Sequence, residues 1–253
     1  MNDGLPRRIV VVTGAARGMG MAYARSLHER GDVVFVADIN YPAAAEVAAR
    51  LGERAHAISV DVSDEEQVTT LFEEVGKRYD RLDVLINNAA LMLDVEKPFK
   101  PLWELSLAEW HRVMNVNATS VFLCTKHALP LLKRSAAGKV VNITSDAIWH
   151  GYAGQLAYFA SKGAVAVMNR CLARELGEFN INVNAIAPGL TESESVKASE
   201  FLRSLKPAIH ESRALKRDQE PQDLVGTVLF LCSPESACIT GQTIVVNSGG
   251  IMP

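Results

Sequence analysis

Short apolar runs rich in β-branched residues recur along the chain, and segments with a helical period of apolar positions separate them. The runs predict strands, because β-branched side chains fit the pleated surface of a sheet. Their nearly continuous apolarity indicates that helices cover both faces of that sheet. The predicted strands span residues 9–12, 33–36, 84–86, 140–143, 181–186 and 243–246, with a weaker strand at 55–59.

The segments between these strands predict helices, and Ser63 with Glu66 predicts a capping box at the start of the third helix. The alternation predicts an α/β Rossmann fold, a doubly wound seven-stranded parallel sheet with helices on both faces. No linker or repeat interrupts it, so we expect one domain over residues 1–253. The predicted helices span 19–30, 42–51, 65–79, 107–133 (continuous, or broken near Asn115), 156–176 and 221–231.

Charge and cysteine content narrow the class of protein. A net charge of −3 does not favour nucleic-acid binding, which usually needs a concentrated basic face. No apolar stretch approaches a membrane span or a signal-peptide core, so we expect a soluble cytoplasmic protein without membrane contacts. The histidines and cysteines lack metal-ligand spacing, so we expect no metal. The cysteines are expected to be free, reduced and mostly buried: Cys124, Cys171, Cys232 and Cys238.

A glycine-rich turn, residues 13–20, joins the first predicted strand to the first predicted helix. Such a turn allows positive φ angles and close approach of the backbone to a ligand, and the N–H groups at a helix N-terminus attract anions. The turn therefore predicts a site for the diphosphate of a dinucleotide, although an ordinary strand-to-helix turn can share this composition. Its glycines are Gly14, Gly18 and Gly20.

Asp38 at the end of the second predicted strand bears on the choice of dinucleotide. A carboxylate there can accept hydrogen bonds from the adenosine ribose hydroxyls, and it repels a ribose 2′-phosphate. We therefore expect NAD rather than NADP. Arg17 in the glycine turn is evidence in the other direction, because a guanidinium can pair with that phosphate. We give more weight to Asp38, whose effect is the more local.

Polar residues also follow the third and fourth predicted strands. These are Asp61 with Val62, and the run Asn87-Asn88-Ala89-Ala90. In an α/β sheet ligands bind at the carboxyl ends of the strands, so these residues are candidates for cofactor contacts. The alternative for the two asparagines is turn chemistry or loop bracing, because Asn tolerates unusual backbone angles.

Tyr158 and Lys162 lie four residues apart on a predicted helix and so share one of its faces. A phenol has a reference pKa of about 10, so acid–base work near neutral pH requires a nearby positive charge, which Lys162 and a nicotinamide ring can supply. Ser145 at the end of the fifth main strand can hydrogen-bond a substrate oxygen. A tyrosine and a lysine at this spacing can equally be a solvated surface pair.

The order and spacing of these motifs resemble the short-chain dehydrogenase/reductase family over nearly the whole chain. The matching motifs are Thr13-Gly14-x-x-x-Gly18-x-Gly20, Asp61-Val62, Asn87-Asn88-Ala89, Ser145, Tyr158-x-x-x-Lys162 and Pro188-Gly189. The sequence departs from the family pattern at Ala90, Met19 and Ser193, where Gly, Ile and Thr are usual. None of these departures removes a group that hydride transfer needs.

The resemblance implies roles for individual residues. Tyr158 would be the general acid/base, Lys162 would lower the pKa of Tyr158 and bind the nicotinamide ribose, and Ser145 would polarise the carbonyl. Asn117 would hold a water in a proton relay, with Asn115 a lower-ranked competitor. The residues expected to contact NAD are Gly14, Arg17, Gly18, Met19, Gly20, Asp38, Ile39, Asp61, Val62, Asn88, Ala89, Tyr158, Lys162, Pro188, Leu190, Thr191 and Ser193.

The expected reaction is hydride transfer between NAD(H) and a small hydrophobic secondary alcohol or its ketone, aryl or alicyclic. Large apolar side chains dominate the expected pocket, although Ile148 fits a core position equally well. The alternatives are a carrier-linked 3-oxoacyl reductase, which Asp38 disfavours, and a non-catalytic dinucleotide sensor or scaffold. The expected pocket residues are Ser145, Ala147, Ile148, Trp149, Tyr152, Gln155, Leu91 and Met92.

Two further expectations concern motion and assembly. Residues 190–215 are expected to form a substrate lid, because a polar start precedes an apolar stripe at Phe201, Leu205 and Ile209, although permanent packing of that stripe explains it equally well. The long predicted helices carry more apolar residues than one sheet face needs, and the family resemblance implies a homotetramer packed through them.

Overall fold

Seven parallel strands form one sheet in the order β3-β2-β1-β4-β5-β6-β7 in the computed structural model, which describes residues 7–92 and 99–253. The order changes direction between β1 and β4, and this switch point is where α/β sheets bind ligands. The predicted doubly wound sheet is therefore confirmed. The strands are β1 (Ile9–Thr13), β2 (Val33–Asp38), β3 (Ala55–Ser59), β4 (Val84–Asn87), β5 (Lys139–Ile143), β6 (Asn182–Pro188) and β7 (Thr243–Val246).

Helices cover both faces of the sheet, and alternate residues of β1 show why. Ile9 and Val11 pack with helices α3, α5 and α6, whereas Val10 and Val12 pack with α1, α2 and α9. Two apolar cores thus sandwich the strands, as continuous apolar runs require. The α-helices are α1 (Gly18–Glu29), α2 (Tyr41–Leu51), α3 (Glu65–Tyr79), α4 (Leu107–Met114), α5 (Ser120–Leu132), α6 (Leu156–Leu176), α7 (Glu194–Ala198), α8 (Glu200–Ser212) and α9 (Pro221–Leu231).

The long segment 107–133 is interrupted, as the alternative of a break near Asn115 predicted. A π-helical turn, Asn115–Thr119, separates α4 from α5. The Ser120 hydroxyl donates to the Val116 carbonyl at 2.6 Å and satisfies part of the loosened backbone. Single π-turns of this kind often occur at functional sites, because they reorient a side chain within a helix.

The prediction of a capping box at Ser63 was wrong. Asp64 is the N-cap of α3, and its Oδ1 accepts hydrogen bonds from the N–H groups of Glu66 at 2.9 Å and Gln67 at 3.2 Å. The Ser63 hydroxyl instead donates to Asp61 at 2.6 Å. A charged carboxylate is the stronger acceptor for helical N–H groups, and Asp64 lies next to the helix.

The four cysteines are free, but only two of them are buried. Cys124 and Cys232 lie in the core, whereas Cys171 and Cys238 are exposed, so the expectation of mostly buried thiols was wrong for half of them. Within the described ranges, no group of histidine, cysteine or acidic side chains has a geometry that could hold a metal ion. The helices of those ranges are all too short or too polar to cross a bilayer.

Candidate active site

Ser145, Tyr158 and Lys162 meet at the carboxyl edge of the sheet. Ser145 follows β5, while Tyr158 and Lys162 lie in the first two turns of α6. The Ser145 hydroxyl, which accepts from the Ala147 N–H at 3.1 Å, lies close enough to the Tyr158 phenol to lower its pKa. The ammonium of Lys162 lies 5.9 Å from the centroid of the Tyr158 ring. The solvated surface pair considered from the sequence is thus wrong for these residues, because Lys162 is buried and Tyr158 partly buried.

Lys162 is fixed at both ends of its side chain. Its Nζ donates to the Ile143 carbonyl at 2.8 Å, and its own carbonyl accepts from the Thr144 hydroxyl at 2.8 Å. Only 2% of the residue is exposed, and burial lowers the pKa of the ammonium to about 8. The lysine can therefore lose or keep its proton close to neutral pH.

The direction of the Tyr158 pKa differs from the expectation. Burial of the phenol raises its pKa, the hydrogen bond from Ser145 lowers it, and the Asp146 carboxylate raises it further. Desolvation is the largest of these effects, while the Lys162 ammonium donates to the Ile143 carbonyl and lies over the Tyr158 ring, 5.9 Å from its centroid. The prediction that Lys162 lowers the pKa of Tyr158 is therefore wrong for the chain itself: the pKa is raised.

Asn117 occupies the π-helical turn and faces the same cleft. It is buried, its Oδ1 accepts from the Leu91 N–H at 2.7 Å, and its Nδ2 donates to the Leu91 carbonyl at 2.9 Å. The same Nδ2 donates to the Ser161 hydroxyl at 3.0 Å. Asn115 is exposed and contacts Thr119 at 3.4 Å. The structure therefore brings Asn117, and not Asn115, to the site.

The glycine turn makes a tight concave backbone beside these residues. Gly14 and Gly18 have φ angles of +64° and +56°, which favour glycine. A Cβ on Gly20 would lie 2.2 Å from the Gly14 carbonyl oxygen, so no larger residue fits there. Asn88 braces the turn, since its Nδ2 donates to the carbonyls of Thr13 at 2.9 Å and Gly14 at 3.0 Å.

Asp38 ends β2 next to this turn. Its Oδ2 accepts from the Ala16 N–H and its Oδ1 from the Asn40 N–H, both at 2.9 Å. Each carboxylate oxygen can accept a further hydrogen bond, which two ribose hydroxyls require. Arg17 is exposed at the N-cap of α1, and Ile39 is 69% exposed. The carboxylate is therefore fixed by the backbone, while the guanidinium extends into solvent.

Comparison with known proteins decides the family. A family model described as enoyl-(acyl carrier protein) reductase matches residues 14–250. The 3-oxoacyl-[acyl-carrier-protein] reductase of Aquifex aeolicus is 33% identical over 249 residues, 97% of this chain and 98% of that protein. The cyclopentanol dehydrogenase of Comamonas sp. is 34% identical over 252 residues, 96% of each chain. The solved structure of a candidate short-chain alcohol dehydrogenase from Sinorhizobium meliloti superposes with a TM-score of 0.89 at 30% identity, over 97% of each chain.

The chain belongs to the short-chain dehydrogenase/reductase family. It is thus an oxidoreductase acting on CH–OH and ketone groups, and enzymes of this family use nicotinamide dinucleotides. The site fits such a group, because the positive φ angles of Gly14 and Gly18 shape a tight backbone turn at the N-terminus of α1, where helical N–H groups attract anions. The buried Asn88 Oδ1 also has no protein partner in the part of the chain that the structure describes.

The other expected cofactor residues divide into contacts at the cleft and structural supports. Val62 is buried in the core, and Asp61 Oδ1 accepts from the Ser63 N–H at 2.9 Å and from its hydroxyl. Thr191 is buried, and its hydroxyl donates to the Gly189 carbonyl at 2.9 Å. Ser193 is the N-cap of α7 and reaches the glycine turn, where its Cβ lies 3.5 Å from a Cβ built on Gly18. The remaining members, Met19, Ala89, Pro188 and Leu190, lie in or next to the same loops.

The expected substrate residues are not equally enclosed. Ala147 and Gln155 are buried, whereas Leu91, Met92 and Ile148 are partly buried. Trp149 is 36% exposed and Tyr152 is 62% exposed, with the Tyr152 ring stacked on His150 at 4.8 Å between centroids. The two large aromatic residues therefore lie at the rim, and the floor near Ser145 is formed by smaller side chains.

Sequence reasoning missed Asp146. It is partly buried directly after Ser145, and its Oδ2 accepts from the Asn247 Nδ2 at 3.2 Å. Burial raises the pKa of this carboxyl, while the Asn247 hydrogen bond and the charges of His150 and Arg213 lower it. Its position next to Ser145 was the available signal. Asn247, which comes from beyond β7, could not be connected with it from spacing.

Proposed function

We propose that this chain is an NAD(H)-dependent oxidoreductase that interconverts a small hydrophobic secondary alcohol, aryl or alicyclic, and its ketone. The observation that supports the proposal is the convergence of Ser145, Tyr158 and Lys162 at the sheet edge beside the glycine turn. Small or apolar side chains such as Ala147, Ile148 and Leu91 lie with the Ser145 hydroxyl and the Gln155 amide in the expected pocket, and this composition suits a compact, largely apolar substrate.

In the proposed mechanism the nicotinamide ring, when bound, supplies or accepts the hydride. Tyr158 accepts the hydroxyl proton during alcohol oxidation and returns it during ketone reduction. Ser145 donates a hydrogen bond to the reacting oxygen. The ionised Tyr158, whose pKa burial raises in the chain itself, would be stabilised by Lys162 only together with the positive charge of a bound nicotinamide ring. Asn117 is hydrogen-bonded to the Leu91 backbone and to the Ser161 hydroxyl, so it fixes the distance between the loop after β4 and helix α6.

The preference for NAD over NADP rests on Asp38. Two backbone N–H groups hold its carboxylate at the end of β2, so a ribose 2′-phosphate would have to approach a fixed negative charge. Arg17 is exposed and can move toward such a phosphate, but ordering an exposed side chain costs entropy. The balance favours NAD.

A second candidate is reduction of a carrier-linked 3-oxoacyl group. Several relatives with that activity in their names are as similar to this chain as the alicyclic alcohol dehydrogenases are, at 32–35% against 33–34% identity. Asp38 argues against it to the extent that such reductases prefer NADPH. A non-catalytic sensor is a weaker candidate, because Ser145, Tyr158 and Lys162 lie together and Asn117 binds Ser161, the residue before Lys162.

The proposal also covers the oligomeric state, the domain organisation and the cellular compartment of the protein. We infer a cytoplasmic homotetramer of single-domain subunits over residues 1–253, without nucleic-acid or membrane partners and without a required metal. The outer sides of α4, α5 and α6 support it, because Leu107, Phe122 and Val167 are 69%, 49% and 52% exposed. Light scattering that finds only monomer across micromolar concentrations would contradict the tetramer.

Nicotinamide absorbance over a substrate panel tests the activity. Cyclopentanol, 1-phenylethanol and a 3-hydroxyacyl thioester are each offered with NAD and then with NADP. We expect the cyclic or aryl alcohol with NAD to give the highest kcat/KM. A preference for the thioester with NADP would support the second candidate, and nucleotide binding without turnover of any substrate would support the sensor.

A further inference from the structure

Two aromatic rings from distant parts of the chain meet beside the cleft. Phe99 and Phe201 have ring centroids 4.6 Å apart and planes inclined at 53°, and both residues are partly buried. This separation and tilt lie in the favourable range for aromatic pairs. Phe201 lies in the first turn of α8, whereas Phe99 leads from the loop after β4 toward α4.

Phe99 packs against the loop that leads to Tyr158. A Cβ on Gly154 would lie 2.8 Å from the Phe99 Cβ and 2.9 Å from its Cδ1, and Gly154 has a φ of +87°. The Lys100 N–H donates to the Gly154 carbonyl at 2.9 Å. The absence of a side chain at Gly154, four residues before Tyr158, therefore allows Phe99 to lie against the loop.

The Phe201 side is tied to the segment that follows β6. Lys206, one turn further along α8, pairs with Glu192 and with Asp218, both at 3.0 Å. Arg213, which follows α8 and is buried, donates to the Leu190 carbonyl at 2.7 Å. The aromatic pair is thus a contact between two walls of the cleft, one carrying Tyr158 and the other continuing from Gly189.

We propose that Phe99 and Phe201 form an aromatic clasp that closes over a compact substrate and selects against substrates with a long arm. The inference rests on the proposed function, whose two candidate substrates differ in this property. A small cyclic ketone fits beneath the closed pair, which excludes water from the reacting groups. The arm of a carrier-linked substrate would have to pass between the walls, and the ring contact would then be lost.

Phe201→Ala and Phe99→Ala test the clasp through substrate choice. Both substrates are offered in the same direction, with NADH: cyclopentanone, and a 3-oxobutanoyl thioester of N-acetylcysteamine as the long-arm probe. An aromatic pair of this geometry corresponds to about a 2- to 12-fold change in a closing equilibrium. We expect kcat/KM for cyclopentanone to fall by about that factor while kcat/KM for the thioester stays constant or rises. Phe201→Leu, which keeps apolar bulk, should give a smaller change.

Phe179→Ala is the matched control. Phe179 is also partly buried, but it lies in the turn before β6, at the opposite edge of the sheet. The Phe179→Ala variant should leave the ratio of kcat/KM for cyclopentanone to kcat/KM for the thioester unchanged. Thermal unfolding and NADH fluorescence establish that each variant is folded and binds the cofactor, and Phe201→Leu carries the test if Phe201→Ala does not fold.

The outcomes separate the clasp from the proposed function. Turnover of cyclopentanone by the unaltered chain, with the same substrate ratio in every clasp variant, would overturn the clasp alone. A higher kcat/KM for the thioester in the unaltered chain would also overturn it. Absence of turnover with both substrates would overturn the proposed function, and the role of the clasp in substrate choice with it.

Discussion

Asn117 binds the backbone of Leu91 from both sides, accepting from its N–H at 2.7 Å and donating to its carbonyl at 2.9 Å. The same amide nitrogen reaches the hydroxyl of Ser161, the residue before Lys162. One buried side chain in a π-helical turn thus joins the loop after β4 to the catalytic helix. The spacing of the cleft depends on an irregularity of the helix, since a regular turn would orient residue 117 differently.

Replacement of Tyr158 by Phe tests the proton-transfer group. The change removes only a hydroxyl from a partly buried ring, so cofactor binding should persist while turnover falls by about 10²- to 10⁴-fold. Steady-state rates and NADH fluorescence measure the two effects separately. Tyr152→Phe, a change at a tyrosine that is 62% exposed, is the control and should leave turnover nearly unchanged. Near-normal turnover in Tyr158→Phe would exclude the mechanism.

Replacement of Asp38 by Asn tests the choice of cofactor. The amide keeps an oxygen that can accept from the Ala16 N–H but loses the negative charge. We expect the ratio of the NADP Kd to the NAD Kd to fall by about 10-fold or more. The repulsion between a carboxylate and a phosphate about 4 Å apart near a protein surface is larger than the roughly 1.4 kcal/mol to which a 10-fold change corresponds. Adding Arg17→Ala should reverse part of that gain. An unaltered chain that already prefers NADP would show that Arg17 prevails over Asp38.

Replacement of Gly20 by Ala tests the glycine turn. The new Cβ would lie 2.2 Å from the Gly14 carbonyl oxygen, and backbone cannot yield there without opening the turn. We expect weaker NAD binding by titration and a loss of about 1–3 kcal/mol in the free energy of unfolding. Gly226→Ala in α9 is the matched control, because nothing lies within 4 Å of its Cβ. It should be neutral or stabilise the chain by up to about 1 kcal/mol. Equal effects at the two positions would contradict this account of the turn.

The buried Lys162 predicts a specific dependence of stability on pH. Its pKa falls from 10.5 to about 8 on folding because the ammonium is desolvated. Between these values the unfolded chain binds more protons than the folded one, so the lysine's cost to stability is full below pH 8 and diminishes as pH rises toward 10.5. The stability of Lys162→Met relative to the unaltered chain should therefore be highest near pH 7 and decline through that window. Denaturant unfolding at several pH values measures the difference, and a constant difference would contradict the lowered pKa.

The sequence was sufficient for the sheet because its strands are apolar on both faces. Each predicted strand lies within two residues of its observed bounds at either end, and β3, whose residues are all at least partly exposed, gave the weakest signal. The candidate site followed from motif order at the strand ends. Asp146 with Asn247, and Phe99 with Phe201, could not be predicted, because those contacts join residues about a hundred positions apart. The raised pKa of Tyr158 depends on burial, which spacing does not report.

The segment after β6 gives the last prediction, that residues 190–215 form a lid over the substrate. Leu202 is buried while Phe201, Leu205 and Ile209 are only partly buried, so the apolar stripe is incompletely covered in the chain alone. Lys206 is partly exposed, and it pairs with the buried Glu192 and the exposed Asp218, so solvent weakens these ion pairs. Local opening of the segment is therefore opposed by screened ion pairs and by the hydrogen bond from the buried Arg213 to the Leu190 carbonyl.

A ligand that fills the cleft should add contacts to the closed form and reduce local opening. We expect NAD together with a substrate analogue to slow amide hydrogen exchange across residues 190–210 more than across the glycine turn, residues 13–20. NAD alone should protect the glycine turn at least as strongly as the lid, because the diphosphate would bind there. The helix α3 is the internal control, and its exchange should not change. Equal protection of residues 190–210 with and without ligands would show that this segment is permanently packed, since a lid that closes on its substrate must exchange more slowly when the substrate is present.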